Sequence, residues 1–323
     1  MSTDTFITGA TGVVGGHLLR TLIDRGDRVT ALVRSETDAE VMRSLGATPV
    51  LGDVTKPSGL SDAMWGASTV FHVAGVNEGC PKDVGLMESV NIGGAESVVE
   101  AAAHAGVGRV VLTSSVVAIG EAEGMIGTEE TRHGGSYVSA YARSKHLGEQ
   151  AALLAAERTG IELVVVNPAS VQGPGRSSGS AELIRRVVTS RRPWLVDVTV
   201  SIVDIADCSR GHLLAAERGR PGERYILSGA TLRVSDIVSI INHVAGTEIH
   251  PRWLSADLVR SVGLPVSRFV PSDRICPDMI RSLLHGHRYD NGRSRRDLGL
   301  TYTPIEDTFR TTIDWFRAEG LIP

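Results

Sequence analysis

Aromatic residues are scarce in this chain: Phe, Tyr and Trp together make up 4% of its 323 residues. Its core must therefore be filled by Ala, Val, Leu and Gly, which suits close packing. Lysine is nearly absent, occurring only at 56, 82 and 145, and arginine carries the remaining basic charge. Cysteine is limited to Cys80, Cys208 and Cys276, far apart and without a CxxC pair. That spacing argues against a disulfide framework or a zinc knuckle and points to a reducing cytoplasm. Neither sign of charge dominates, with a net charge of −4 and a pI near 6.2. There is thus no electrostatic case for nucleic acid or an anionic membrane as partner. No apolar run approaches the length of a membrane span, and Met1–Thr5 lacks the basic start of a signal peptide. These absences lead to the expectation of a soluble, cytoplasmic protein.

What is present is apolar and periodic. Hydrophobic residues make up 42% of the chain, enough for a sizeable core. The first half alternates short apolar runs, read as strands, with helically spaced stretches. The strands fall at Thr5–Thr8, Arg28–Val33, Thr48–Leu51, Thr69–Val73, Arg109–Thr113 and Glu162–Asn167, the last halted by Pro168. Helices fit Val13–Arg25, Leu60–Trp65, Val84–Ala105 and Tyr141–Thr159, with Gly26, Gly106 and Gly160 as stops. This alternation predicts an α/β fold, a Rossmann-type doubly wound parallel sheet, with a smaller and mostly helical C-terminal lobe. The dinucleotide-binding part is expected at 1–167, with a returning segment near 201–228 that holds strands at Ser201–Ile205 and Arg224–Leu227. The substrate lobe is expected at 168–200 and 229–323, with residues 173–180 (GPGRSSGS) a loop by composition. Its helices are read as broken by Pro251, Pro265, Pro271 and Pro277.

The turn after the first strand reads TGATGVVG at 8–15. Gly9 permits the tight turn, Gly12 lets a pyrophosphate approach the backbone, and Gly15 lets the helix pack against the sheet. Thr11, Val13 and Val14 complete the cofactor-facing turn, at a helix N-terminus whose free N–H groups suit phosphate. Arg34 stands where an acidic residue would bind the ribose of NAD, and so suits the 2′-phosphate of NADP; Ser35 adds a hydroxyl. A solvated strand-end arginine is the alternative for Arg34. Asp53, followed by Val54, is either an acceptor for the adenine amino group or a turn aspartate.

Tyr141 and Lys145 lie at i and i+4, on one face of a helix. A nearby ammonium favours phenolate and would draw the tyrosine toward a working pKa for acid/base chemistry. Tyr137 has no lysine at i+4. Ser114 and Ser115 end the Arg109–Thr113 strand, at the carboxyl edge where open α/β sheets bind ligands. Each could instead cap a neighbouring turn. His285 and His287 are read as loop residues and no metal is expected, since no acidic or cysteine partner lies nearby in sequence. The arginine clusters at 185–192 and 293–296 read as solvated helix faces, and His72 and Cys208 as packing residues.

In combination these residues resemble the extended short-chain dehydrogenase/reductase family, also described as the NAD-dependent epimerase/dehydratase family. The resemblance runs through TGATGVVG, GDV at 52–54, FHVAG at 71–75, NIGGAESVVEAA at 91–102, VVLTSSVVAIG at 110–120, YARSK at 141–145 and NPASVQGPG at 167–175. It implies catalysis by Ser115, Tyr141 and Lys145, with Lys145 also holding the nicotinamide ribose. It further implies a cofactor bordered by Val73, Ala74, Gly75 and Pro168, with Ser114 close by, and a structural role for Asn91. Val116 and Val117 stand where family dehydratases carry Asp-Glu, and Arg34 where tightly NAD-bound epimerases carry an acid. What remains is similar to the dihydroflavonol-4-reductase-like and aldehyde-reductase-like branch, a pattern that hopanoid-associated epimerase-like sequences share.

The reading is a reductase that interconverts a ketone or aldehyde and an alcohol, with NADP(H) preferred over NAD(H). A sugar epimerase is the alternative, and a non-catalytic NADP(H) sensor a third. A homodimer is expected through Val84–Ala105 and Tyr141–Thr159, which are apolar on more than one face. Trp194, Leu195, Trp253, Leu254, Phe269 and Val270 are apolar candidates for the substrate lobe, which shows no charged clamp.

Overall fold

The computed structural model describes residues 3–177, 179, 181–190, 192–269 and 275–322. Pro271 and Val270 lie outside the described residues, as do parts of the 173–180 loop and of the arginine cluster at 185–192.

The centre is a parallel sheet of seven strands flanked by helices. Its strands are β1 (Asp4–Thr8), β2 (Arg28–Val33), β3 (Thr48–Leu51), β4 (Thr69–His72), β5 (Arg109–Thr113), β6 (Glu162–Pro168) and a seventh at Arg224–Leu227. They lie in the order Arg224–Leu227, β6, β5, β4, β1, β2, β3. The change of direction between β1 and β4 opens the crevice where this topology binds ligands. Strands such as Val110-Val111-Leu112 and Leu163 to Val166 are buried on both faces, as a covered parallel sheet requires.

One face is covered by α1 (Val13–Asp24) and by the helix Ile205–Arg218. The other carries the chain from Val84 to His104 and the helix Ala140–Thr159. Gly26, Gly106 and Gly160 take positive φ at the expected helix stops. The helix Glu36–Ser44 was not legible in the sequence: only Ala39 and Met42 are buried, too few for a stripe. Its start is fixed by Ser35, whose hydroxyl accepts the Asp38 N–H.

Two expectations need amending here. The long helix read over Val84–Ala105 is interrupted by a π-helical turn at Ser89–Gly93. The strand read as Glu162–Asn167 runs one residue further and ends on Pro168 itself. Pro168 lies opposite Leu227, and Ala169 N–H continues the ladder to Leu227 O at 2.9 Å. A missing N–H is tolerated at that end position.

After Pro168 the chain builds a three-stranded sheet from Ser170–Gln172, Thr199–Asp204 and Ala230–Arg233, and a parallel pair from Trp194–Val196 and Arg252–Leu254. The strand expected at Ser201–Ile205 belongs to this small sheet; only Arg224–Leu227 returns to the large one. A separate core gathers Ile184, Val187, Val234, Ile237, Ile241, Phe309, Ile313 and Phe316. Pro277 sits in the first turn of its helix, where a missing N–H costs nothing, whereas Pro265 lies inside a helical run, just after the π-helical turn Val259–Gly263.

The cysteine expectation is corrected. Cys80 and Cys276, separated by 196 residues, are joined by a disulfide with their Cα atoms 5.8 Å apart. Tertiary folding brings the loop after β4 beside the start of the helix Pro277–His285, which spacing along the chain could not show. The inference of a reducing compartment therefore loses its basis. Among the described residues, no helix is long and apolar enough to cross a membrane.

The apolar breadth of the two long helical stretches is largely consumed inside the chain. Ala152 and Ala155 are fully buried, as are Val98, Val99 and Ala102 facing them. A Cβ on Gly148 would stand 2.0 Å from Asn91 O, so these helices touch at backbone distance.

Candidate active site

The crevice floor begins with the glycine turn. Gly9 has φ 74°, and a Cβ there would meet Ala74 N at 2.5 Å. Glycine is therefore required both by conformation and by the approach of the β4 loop. A Cβ on Gly15 would fall 2.1 Å from Gly9 O, which fixes how tightly α1 sits on the turn. Gly12 is the N-cap of α1 and has no capping side chain, and no acidic residue occupies the first turn. The backbone and positive end of the helix thus face the crevice without a competing anion, a donor set that fits a dinucleotide pyrophosphate. Thr11 is exposed at the turn, while Val13 and Val14 pack partly on the core below.

The β4 end is braced against β1. Thr8 Oγ1 lies 2.7 Å from His72 Nδ1 and accepts the Ala74 N–H at 3.2 Å. His72 is buried, and burial with the nearby Lys145 charge pushes its pKa down to about 3, so it stays neutral. Val73-Ala74-Gly75 therefore has a fixed path. Asn91, turned inward by the π-turn, holds its continuation: Oδ1 accepts Val76 N–H at 2.8 Å, and Nδ2 donates to Val76 O and Ser144 Oγ, both at 2.9 Å. Its assigned role on helix geometry is thus extended to the loop bordering the crevice.

At the cofactor's far end, Arg34 is exposed at the end of β2. Asp53 Oδ1 accepts from Thr55 N–H and Oγ1 at 2.9 and 2.8 Å, and these bonds, with the Arg34 and Lys56 charges, hold its carboxyl below the usual range. Asp53 Oδ1 thus closes its own turn, near Arg34. Val54 is buried against the start of the helix Gly94–His104. Ser35 is committed to its helix cap, its hydroxyl also donating to Asp38 Oδ2 at 2.7 Å.

Ser115, Tyr141 and Lys145 come together at the carboxyl end of β5. Ser115 leads into a 3₁₀ turn at Val116–Ala118, and Asn167 Nδ2 pins its carbonyl at 3.1 Å. The same Nδ2 donates to the buried carboxylate of Glu149, which pairs with Arg224 at 3.3 Å. Ser114 is buried with its hydroxyl unpartnered, so it caps no neighbouring turn. The helix Ala140–Thr159 is started by Ser139, whose hydroxyl accepts the Ala142 N–H. That start sets Tyr141 in the first turn, in hydrogen-bonding reach of the Ser115 hydroxyl. One turn on, Lys145 Nζ donates to Thr113 O at 2.8 Å. It also lies 3.6 Å from where a Cβ on Gly75 would project, joining the helix to the β4 loop.

Charge in this group departs from the sequence expectation. Burial raises the Tyr141 pKa, against the opposing pull of the Ser115 hydrogen bond and the Arg176 charge. Lys145 does not lower it here, since its ammonium is turned to Thr113 O. Burial brings Lys145 itself down to about 8, against the opposing charge of Glu149. Tyr137 stands apart in a ring cluster with His133 and His146, at centroid distances of 4.7 and 5.8 Å.

Two residues escaped sequence reasoning. Arg176, from the 173–180 loop, is half-buried near Tyr141, and its Nε is buried without a partner. Its only signal was an arginine after GPG. Glu121 lies in the loop beyond Ser115 and meets His285 and His287, which overturns the expectation that those histidines lack an acidic partner. Nor is His285 a loop residue; it ends the helix Pro277–His285.

The chain belongs to the NAD dependent epimerase/dehydratase family, whose model matches residues 5–228. It is 30% identical to a Synechocystis protein provisionally named dihydroflavonol 4-reductase, over 98% of this chain and 95% of that one. Sterol demethylase protein B of Methylococcus capsulatus is 32% identical over 98% and 99%. Cinnamoyl-CoA reductase 1 of Petunia hybrida is 27% identical over 98% and 93%. Among solved structures, that titled gox2253 superposes with a TM-score of 0.88 at 29% identity, over the full length of both chains. The extended short-chain dehydrogenase/reductase resemblance and the Rossmann-type fold are thereby established, as is kinship with reductases that act on small molecules.

Proposed function

We propose that this protein is an NADPH-dependent reductase of a ketone or aldehyde, with Ser115, Tyr141 and Lys145 as its catalytic residues. The observation that carries this reading is the grouping of the three at one strand end, beside the glycine turn. A phenol that keeps its proton at neutral pH is a general acid, which reduction needs at the carbonyl oxygen.

The nicotinamide, when bound, supplies the hydride. Gly9, Thr11, Gly12, Val13, Val14 and Gly15 would hold its pyrophosphate, Arg34 the 2′-phosphate, and Val73, Ala74, Gly75, Ser114 and Pro168 the inner half. The Ser115 hydroxyl orients the carbonyl oxygen, and the Tyr141 hydroxyl gives it the proton. The Lys145 ammonium, on leaving Thr113 O, would hold the ribose and would then support Tyr141 as negative charge develops there. Val116 and Val117 offer no acid for water elimination, and Arg34 replaces the acid that favours NAD, so the reading favours reduction over sugar epimerisation. The unpartnered Nε of Arg176 is a donor for a polar substituent of the substrate. Residues 168–200 and 229–323 would form the substrate lobe.

NADPH absorbance, followed with a panel of aldehydes and ketones, tests the reading. Substrate-dependent loss of NADPH in the native protein, absent in Tyr141→Phe, is expected. Purified protein that retains NAD through gel filtration and oxidises no NADPH would select the epimerase instead. A homodimer remains part of the proposal, resting on surface residues such as Leu154 now that Ala152 and Ala155 are committed to the core. A monomer mass by light scattering would remove it.

A further inference from the structure

A histidine pair and a buried carboxylate meet outside the proposed catalytic group. Glu121 follows Ser115 by six residues in the loop after β5, and its side chain is only 2% exposed. A carboxylate so buried needs compensating partners. They come from the other end of the chain. His287 Nδ1 lies 2.7 Å from Glu121 Oε1, and His285 Nε2 lies 3.4 Å from the same oxygen and 3.1 Å from Glu121 O. The two rings stand 4.7 Å apart, turned to one point by Gly286 between them. The Tyr289 hydroxyl is 2.9 Å from His287 Nδ1, and the Tyr289 backbone bridges to Gly127.

We propose that Glu121, His285 and His287 bind one divalent cation of the zinc class, with Tyr289 alongside as a fourth oxygen. The three ligand atoms all lie within 4.8 Å of one another. An ion with ligand distances of about 2.0–2.2 Å closes that span by drawing the side chains in. Two imidazole nitrogens and a carboxylate oxygen are a borderline donor set, which suits zinc over calcium or magnesium. The outer shell has the form such sites need. Without an ion His287 Nδ1 donates to Glu121 Oε1; with one bound there, the ring proton would sit on Nε2, where Ser282 Oγ at 3.2 Å can accept it and leave Nδ1 to the metal. The ion would join residues 164 and 166 positions apart, tying the loop that carries Ser115 to the C-terminal segment.

The test is zinc titration by calorimetry of the full chain after chelator treatment, beside His287→Ala, Ser282→Ala and His133→Ala. We expect one saturable zinc per native chain and a rise in Tm on adding it. His287→Ala should bind at least about tenfold more weakly and lose the Tm rise, and Ser282→Ala should bind about tenfold more weakly. Ser282→Ala keeps the test decisive if His287→Ala fails to fold. His133→Ala should still bind one zinc per chain, because His133 packs on Gly120 beside Glu121 but supplies none of the three ligand atoms. Absence of saturable zinc binding in the native chain would overturn the proposal. So would native affinity in Ser282→Ala, or loss of binding in His133→Ala.

Discussion

The seven-stranded sheet and the segment from Ala256 to His285 bury their apolar residues very differently. The sheet strands and their covering helices hide Phe6, Ile7, Val70, Phe71, Val110 and Val111 almost completely. The later segment leaves Leu258, Val262, Val266, Phe269 and Met279 exposed, Phe269 to 84%. The sheet is held by its own ladder and by two cores. The segment is held by a few discrete ties. Among the described residues they include the Cys80–Cys276 disulfide, Ala140 N–H to Asp278 at 2.7 Å, Arg281 to Val138 O at 3.2 Å, Arg260 to Glu123 at 2.6 Å, and the Glu121 histidine cluster. The proposed catalytic group sits on the first region. The second leans over it through contacts that can be cut one at a time.

That contrast can be broken most severely from the sheet side. Ala152→Glu would bury an unpaired charge between two helices at full burial. We expect a loss of about 3–5 kcal/mol, read by urea denaturation. If Ala152→Glu is instead as stable as the native protein, the helix contact is not a core contact.

Catalysis should fail next. Tyr141→Phe is expected to cut turnover by roughly 10²–10⁴-fold while NADPH affinity stays within about twofold. Steady-state rates and a fluorescence titration check both halves. Near-native turnover would move the proton donor away from Tyr141.

Cutting the disulfide probes the other region. Cys276→Ser should cost about 2–4 kcal/mol, since the bond closes a very long loop. Thermal unfolding with and without reductant should show the same loss in the native protein and none in Cys276→Ser. A reductant effect that persists in Cys276→Ser would refute the bond's contribution.

Smaller effects concern charge. Arg34→Asp should reverse the preference between NADPH and NADH, shifting their affinity ratio by about tenfold or more, as the carboxylate repels the 2′-phosphate. The pH profile follows from Lys145, whose pKa burial brings to about 8. Raising pH through that value removes its proton and its charge, so kcat/KM should be flat below it and fall about tenfold per unit above it. A profile flat to well beyond that pH would show the ammonium to be dispensable. Leu258→Ser, in the exposed segment, should change stability by under about 0.5 kcal/mol.

Much of the sheet was legible because its signals are local. Strands Arg109–Thr113 and Glu162–Pro168 carry continuous apolar runs, and burial on both faces demands that pattern. The glycine turn was legible because each glycine answers a steric need within a few residues, as the Gly9 and Gly15 contacts show. Tyr141 and Lys145 were readable as neighbours because helical spacing sets them on one face. The helix Glu36–Ser44 was not, since a helix that buries two side chains carries no stripe.

The sequence by itself determined the parallel sheet, the glycine turn and the setting of Tyr141 and Lys145 on one helix face, because periodicity and short-range sterics are written within a few residues. Tertiary structure alone decided that Cys80 meets Cys276, that Glu121 meets His285 and His287, and that Lys145 turns its ammonium to Thr113 O. It also decided that burial raises Tyr141, where spacing had suggested a lowered pKa. Each of these depends on which distant segments exclude water from the same place, and desolvation and pairing across 32 to 196 residues leave no mark in local spacing.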